Sequence, residues 1–415
     1  MLAKRIAGIK DWLGERLELS RGGNAQNIRP MEGLRGFAAF IVFLTHYCGF
    51  IRPHLSAAFD NGPFRITDQL GNTGVDLFFV LSGYLIYGSL ISRPQPFGRY
   101  MLRRVQRIYP VFIVVFLVYI PLSFIFPGEN KIPGAADDAL VYLTANFLLL
   151  VPMLVPFDPL VNVTWSLSYE IFFYVLIPLL IVAFGLRKRR PGWRITFFAL
   201  IAGGYITYCL IFGGKHRLIM FIAGMILFEV LKLTRLRAPS SLLTLVSLLA
   251  GWAIFSIIPE GLAAAPLKTM TLFFTYFVLC FHCFFHTDAW LRRAFEWTPL
   301  RWFGNMSYSF YMLHALVMQG FLLLLSKFLV PANGDRGALF FWGMMPVLFL
   351  AALIPSLVLF LLVERRFSLA PAPKVQTPQE RPLPVPTSPR GRRSHAIRVY
   401  ATKQKSGRPL DKPLS

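Results

Sequence analysis

Long apolar runs separated by short polar, often proline-containing loops set the pattern of this chain. Ten runs are long enough to cross a bilayer as helices: roughly 34–52, 74–92, 109–127, 168–186, 195–213, 216–232, 241–258, 266–286, 304–330 and 338–363. The pattern predicts an all-α fold, a polytopic membrane bundle of about ten transmembrane helices. A further apolar stretch, 139–157, carries Pro152 and Pro156, which interrupt a helix. It is expected to be a re-entrant or outer-surface segment that caps a cavity. No internal repeat of the kind that marks many transporters is visible. The expected organisation is an N-terminal segment (1–30), a membrane domain (31–368) and a basic, Pro-rich tail (369–415) that lacks the apolar content to fold. Within the first segment, Ile6, Ile9, Trp12 and Leu13 share one face. That segment reads either as an interfacial helix or as a frayed basic terminus.

Composition supports the membrane reading. Of 415 residues, 55% are hydrophobic and 15% charged, and mean hydropathy is +0.55. The formal charge of +23 is concentrated in short clusters, such as Arg103, Arg104 and Arg107 or Arg187 to Arg190, and in the tail. With the N-terminus inside, these clusters fall on inner loops, so both termini are expected to be cytoplasmic. Nucleic-acid binding is the weaker explanation of the charge, and no nucleic-acid partner is expected. Cys48, Cys209, Cys280 and Cys283 all lie in apolar runs, so no disulfide framework is expected. The first thirty residues lack an early apolar block, so no cleavable signal peptide is expected either.

Polar residues inside the runs are the candidates for chemistry, because each is costly in lipid unless it has a partner or a task. Arg35 and His46 lie on one predicted helix, about 16 Å apart along its axis. Asp76 and Ser82 lie in the second run, Trp165, Ser166 and Glu170 open the fourth, and Tyr308 and His314 lie in the ninth. Counted from the run ends, His46, His314, Asp76 and Glu170 are expected to converge between the midplane and the outer leaflet. An imidazole beside a carboxylate is what general-base catalysis needs. Simple pairing of buried charges, with histidines as packing residues, would account for the same residues. Arg103, Arg104 and Arg107 are either topology anchors or a phosphate-binding mouth. Cys280, His282, Cys283 and His286 form two pairs on different helix faces, so no metal is expected.

Six blocks resemble the acyltransferase 3 family, polytopic membrane O-acyltransferases of bacterial envelope and secreted sugars. They are RPMEGLRGFAAFIVFLTHY (29–47), GVDLFFVLSGYLI (74–86), RRVQRIYP (103–110), WSLSYEIFFYVLIP (165–178), MSYSFYMLH (306–314) and VERRF (363–367), in the family's order. The resemblance implies transfer of an acyl group, usually acetyl, from coenzyme A to a sugar hydroxyl at the bacterial inner membrane. It makes acetyl-CoA the donor substrate, with no permanently bound cofactor, and a carbohydrate or glycolipid the acceptor. It also implies that His46 is the base or a transient acyl carrier, with Glu170 and Asp76 beside it. Arg35, Arg103, Arg104 and Arg107 would hold the donor. Ser82, Trp165 and Ser166 would line the core site, and Tyr308 and His314 match a late motif. Glu32 stands where the family commonly has Asp, and Tyr169 precedes Glu170 where smaller residues are usual. Many relatives carry a fused extracytoplasmic domain with no counterpart in these residues. The rival reading is a transporter or flippase using buried His, Asp and Glu. Oligomeric state is not legible.

Overall fold

All ten apolar runs form helices. Among the described residues there is no strand, only an isolated bridge between Leu55 and Arg336. The computed structural model describes residues 2–19, 25–56, 59, 62–233, 235–259, 261, 264–328 and 336–369. The basic tail, from 370 onward, lies outside them. In chain order the helices are α1 (Leu2–Leu17), α2 (Ala25–Ile51), α3 (Pro63–Gly71), α4 (Gly74–Ser92), α5 (Phe97–Ile125), α6 (Ala136–Phe147), α7 (Trp165–Ala183) and α8 (Pro191–Phe212). They continue as α9 (Ile219–Val230), α10 (Ser241–Ile257), α11 (Ala264–Phe285), α12 (Trp290–Phe295), α13 (Thr298–Asn305), α14 (Ser307–Phe328) and α15 (Ala338–Leu359), which runs on as a π-helix over Phe360–Ser368.

Eight helical segments of the described residues are long and apolar enough to cross a membrane, and the chain is a multi-pass membrane protein. Two of the ten expected spans fall short. Helix α9 has 12 residues and α10 has 17, about 18 and 25 Å at the usual rise. The second segment is longer than expected: it begins at Phe64, with α3 leading into α4 through a turn at Asn72 and Thr73. The stretch 139–157 is not among the eight. Helix α6 ends at Phe147, and the chain turns through 148–155.

Two contacts give the packing its direction. Arg35 on α2 meets Ser307 on α14, and farther along both helices His46 meets His314, so α2 and α14 run the same way. Helices α4 and α9 cross so closely that each needs a glycine. A Cβ on Gly83 would lie 2.1 Å from Phe221 O, and one on Gly224 would lie 2.0 Å from Val80 O. The end of α1 is fastened to the bundle. Leu17 packs with Met306 and Phe360, Asn305 Nδ2 donates to Leu17 O at 2.8 Å, and Arg301 pairs with Glu18 and, at 2.9 Å, with Glu32.

The α4–α9 crossing makes a direct prediction. Gly83→Ala forces the backbones apart and should cost about 1–3 kcal/mol. Gly203→Ala, on α8 with open space around it, should leave stability unchanged or raised. Thermal unfolding of the two purified variants in detergent separates these outcomes.

Candidate active site

Eleven residues are about three helical turns, so Arg35 and His46 lie on one face of α2. Around Arg35 the bundle opens a cavity with an empty volume of about 870 Å³, counting the part open to solvent. Its polar lining comes from five elements: Arg35 on α2, Ser82 on α4, Arg104 and Arg107 on α5, Ser166, Glu170 and Tyr174 on α7, and Ser307, Tyr308 and Tyr311 on α14. The three arginines are held differently. Arg107 Nη1 donates to Glu364 Oε1 at 2.8 Å, and its guanidinium lies 5.7 Å from the Tyr308 ring. Arg104 lies over the rings of Tyr100 and Tyr174, at 5.8 and 5.7 Å. Arg35 Nη2 reaches Ser307 Oγ at 3.3 Å. The buried Nε atoms of Arg35 and Arg104 have no hydrogen-bond partner. Donors stranded in this way are expensive and invite an acceptor from outside the protein.

Glu364 is buried with no exposure and explains why Arg107 can sit there. Its Oε2 accepts from Ser309 N at 3.0 Å and Ser309 Oγ at 2.6 Å, while Oε1 takes Arg107. Glu170 Oε1 accepts from Ser82 Oγ at 2.9 Å and from Tyr174 OH at 2.6 Å. Tyr308 OH donates to Ile108 O at 2.8 Å, fixing α14 against α5.

Phe78 and Tyr311, whose ring centroids are 6.2 Å apart, also line the cavity, and neither His46 nor His314 is among its lining residues. Tyr311 OH donates to Val163 O at 2.8 Å and lies 2.6 Å from Ser166 Oγ. Just beyond lies the histidine pair. The Tyr311 and His314 rings are 6.0 Å apart, and His314 Nε2 is 3.3 Å from His46 Nδ1.

The expected convergence of two histidines with two carboxylates is only half present. Glu170 belongs to the arginine cavity rather than to the histidines, because it lies five residues into α7 beside Ser82. Asp76 belongs to neither. Its Oδ2 is 3.7 Å from Arg217 Nη1, and its Oδ1 has no partner. The early start of the second segment at Phe64 puts Asp76 twelve residues in, and a Cβ on neighbouring Gly74 would lie 2.7 Å from Ala38 O, short of the level of His46. Arg217 also lies over Trp165, 5.3 Å from its ring, so Trp165 joins the Asp76 group and not the cavity lining. Arg103 is exposed, donates to Gln95 at 3.4 Å and does not line the cavity, unlike its neighbour Arg104. Sequence reasoning missed Glu364, Tyr174, Arg217 and Asp68; the last accepts from Thr45 Oγ1 at 2.8 Å beside His46. Only Glu364 carried a signal, an acidic residue closing a long apolar run. His282 and His286 lie within 3.3 Å of loop carbonyls of Ala238 and Pro239. No group of three or more His, Cys, Asp or Glu among the described residues is arranged to hold a metal ion.

A second cavity is lined by Tyr119, Phe126, Glu129, Lys131, Asn162 and, on α14, Leu316, Gln319, Gly320 and Leu323. At about 100° per residue, those α14 positions lie on the far side of the helix from His314, so this cavity does not open onto the histidines. Lys131 Nζ donates to Pro159 O at 2.9 Å; burial lowers its pKa, while Asp158 and Glu129 oppose that shift.

A family model described as an acyltransferase domain matches residues 29–365. The chain belongs to that family, the one its sequence blocks resemble. Among its relatives is the O-acetyltransferase OatA of Staphylococcus aureus (strain NCTC 8325 / PS 47), 28% identical over 328 residues, which cover 69% of this chain and 50% of that protein. The peptidoglycan O-acetyltransferase OatA of Listeria monocytogenes is 24% identical over 321 residues, 69% of this chain and 49% of that protein. YrhL of Bacillus subtilis (strain 168), provisionally named a peptidoglycan O-acetyltransferase, is 26% identical over 333 residues, 70% of this chain and 49% of that protein. The chain thus spans about half the length of the curated relatives it matches. No solved structure matches it.

Replacing Glu364 with Leu leaves Arg107 without its carboxylate and should destabilise the protein by about 3–5 kcal/mol. The double variant Glu364→Leu with Arg107→Leu should recover much of that loss. Unfolding of the wild type, the two single variants and the double variant in a cycle gives the coupling.

Proposed function

We propose that the protein is a membrane O-acyltransferase that moves an acyl group, most simply acetyl, from coenzyme A to a hydroxyl of an envelope carbohydrate in the cytoplasmic membrane. The observation that carries this is the pair of stranded guanidinium donors, Arg35 and Arg104, in a cavity lined by Tyr311, whose ring is 6.0 Å from that of His314, the partner of His46. A polyanion fits that entrance: phosphate oxygens satisfy Nε donors, and guanidinium groups bind phosphate in a planar, two-bonded way. Arg107, already neutralised by Glu364, shapes the wall and adds little net charge. The pantetheine arm of the donor is about half a bilayer long, which matches the roughly 16 Å from Arg35 to His46.

In this reading the acceptor hydroxyl approaches from the end of α2 beyond His46. The imidazole takes its proton as the oxygen attacks the thioester carbonyl carbon. The C–S bond then breaks, and the coenzyme A thiolate leaves and takes up the proton. Ser166 and Tyr311, hydroxyls of the cavity lining on the side of His314, would face the developing oxyanion. Glu170, engaged by Ser82 and Tyr174, acts on the arginine side and orients the donor rather than the base. Peptidoglycan is the acceptor named for relatives and is the first to try.

The test uses membranes or purified protein with acetyl-labelled coenzyme A and peptidoglycan fragments. Label should appear on glycan as a base-labile ester and fall to background in His46→Ala, with protein level and insertion unchanged. A transporter or flippase would leave the glycan unlabelled, which would refute the reading. Arg35→Gln and Arg104→Gln should each raise KM for the donor about tenfold or more, for the loss of roughly 1.5–3 kcal/mol of charged hydrogen bonding. Unchanged donor KM in both variants would remove the arginines from the site.

A further inference from the structure

We propose that His314 is a positioning residue that fixes the proton of His46 on Nδ1, leaving His46 Nε2 as the basic nitrogen; this rests on the reading of His46 as the base. Partners that can only accept surround the two rings. His314 is buried with no exposure, and its Nδ1 lies 3.0 Å from Phe310 O and 2.9 Å from Tyr311 O. Two carbonyl oxygens facing one ring nitrogen require an N–H there. A neutral imidazole has one N–H, so His314 Nε2 carries a lone pair. That lone pair is directed at His46 Nδ1, at 3.3 Å, with the two rings at 87° and their centroids 4.8 Å apart. The same nitrogen of His46 lies 3.0 Å from Val42 O. It faces two acceptors and therefore also holds a hydrogen. His46 is half-buried, and its Nε2 makes no hydrogen bond among the described residues.

Two backbone carbonyls of α14 thus determine which nitrogen of an imidazole on α2 holds the proton. This arrangement gives His314 the part a carboxylate plays in a catalytic triad, holding the tautomer and receiving the N–H of the imidazolium. No carboxylate is within hydrogen-bond reach of either ring among the described residues; Asp68 is bound by Thr45. During transfer the acceptor's proton passes to His46 Nε2 as the new O–C bond forms. It then leaves from the same nitrogen to the departing thiolate, so His46 returns to its starting tautomer. His314 makes and breaks no bond to substrate.

The experiment combines histidine ¹⁵N NMR with donor kinetics on the full chain in lipid nanodiscs. Wild-type His46 should be an Nδ1–H tautomer. His314→Leu, which removes the acceptor, should shift it toward Nε2–H and lower kcat on the order of 10²-fold, with KM for acetyl-CoA within about twofold. His314→Gln offers a side-chain oxygen in place of Nε2, so it should keep the Nδ1–H tautomer and recover at least tenfold of the lost kcat. An Nε2–H tautomer in the wild type overturns the proposal, even if the Leu variant fails to fold. So does an equal loss of kcat in the Leu and Gln variants. If no protein transfers label, the functional reading falls, and the tautomers of the wild type and the Gln variant alone decide the role of His314.

Discussion

A carboxylate with no exposure to solvent, Glu364, ties three parts of the bundle together: Arg107 of α5, Ser309 of α14 and the π-helical end of the last segment. A buried charge is tolerated only when its partners satisfy it, and here both oxygens are satisfied. Because Glu364 cancels Arg107, the positive character of the cavity is left to Arg35 and Arg104. Because Ser309 is held, Ser307, Tyr308 and Tyr311 are presented to the cavity from one fixed helix. The site depends on this knot although Glu364 itself does not line the cavity.

The same economy of charge recurs across the bundle. Glu229 accepts from Tyr87 at 2.7 Å and from Arg194 at 2.7 Å. Glu170 takes two hydroxyl donors, and Arg301 is shared by Glu18 and Glu32. Arg194 Nε is unmet as well, so what distinguishes the unmet Nε atoms of Arg35 and Arg104 is their place, where several elements converge on open space. A stranded donor at a helix crossing would be a defect; a stranded donor on a cavity wall is half of a binding interaction.

Apolar run lengths were enough to read the helical architecture, and residue spacing was enough to put Arg35 and His46 on one helix and His46 and His314 at one depth. The lateral grouping was not readable in the same way. The start of an apolar run marks depth only where the helix begins with the run. Asp76 shows this: α3 is polar enough to look like a loop, with Arg65, Thr67, Asp68 and Gln69, yet it packs on α2 and leads into α4. Asp76 therefore sits inside its segment and finds Arg217, on the short turn His216–Leu218 before α9. Arg103 and Arg104 show the complementary limit. Adjacent positions on a helix point about 100° apart, so a run of arginines does not say which of them faces inward. Helices α9 and α10 differ from each other: α9 is buried against protein on nearly every side, which hydropathy does not tell from burial in lipid, whereas α10 exposes Leu242, Val246, Leu249 and Ile257 and is simply short, at 17 residues.

The packed rings of Phe78 and Tyr311 have a consequence for the energetics of a membrane. Both line the arginine cavity, neither histidine does, and Tyr311 is pinned by Val163 O and Ser166. A watered channel joining arginines, hydroxyls and imidazoles through a bilayer would conduct protons and dissipate any gradient across it. Two packed rings offer water no polar partner except the Tyr311 hydroxyl, and that hydroxyl is already engaged by Val163 O and Ser166. Polar groups can therefore stand deep in an insulating layer while the layer goes on holding its voltage.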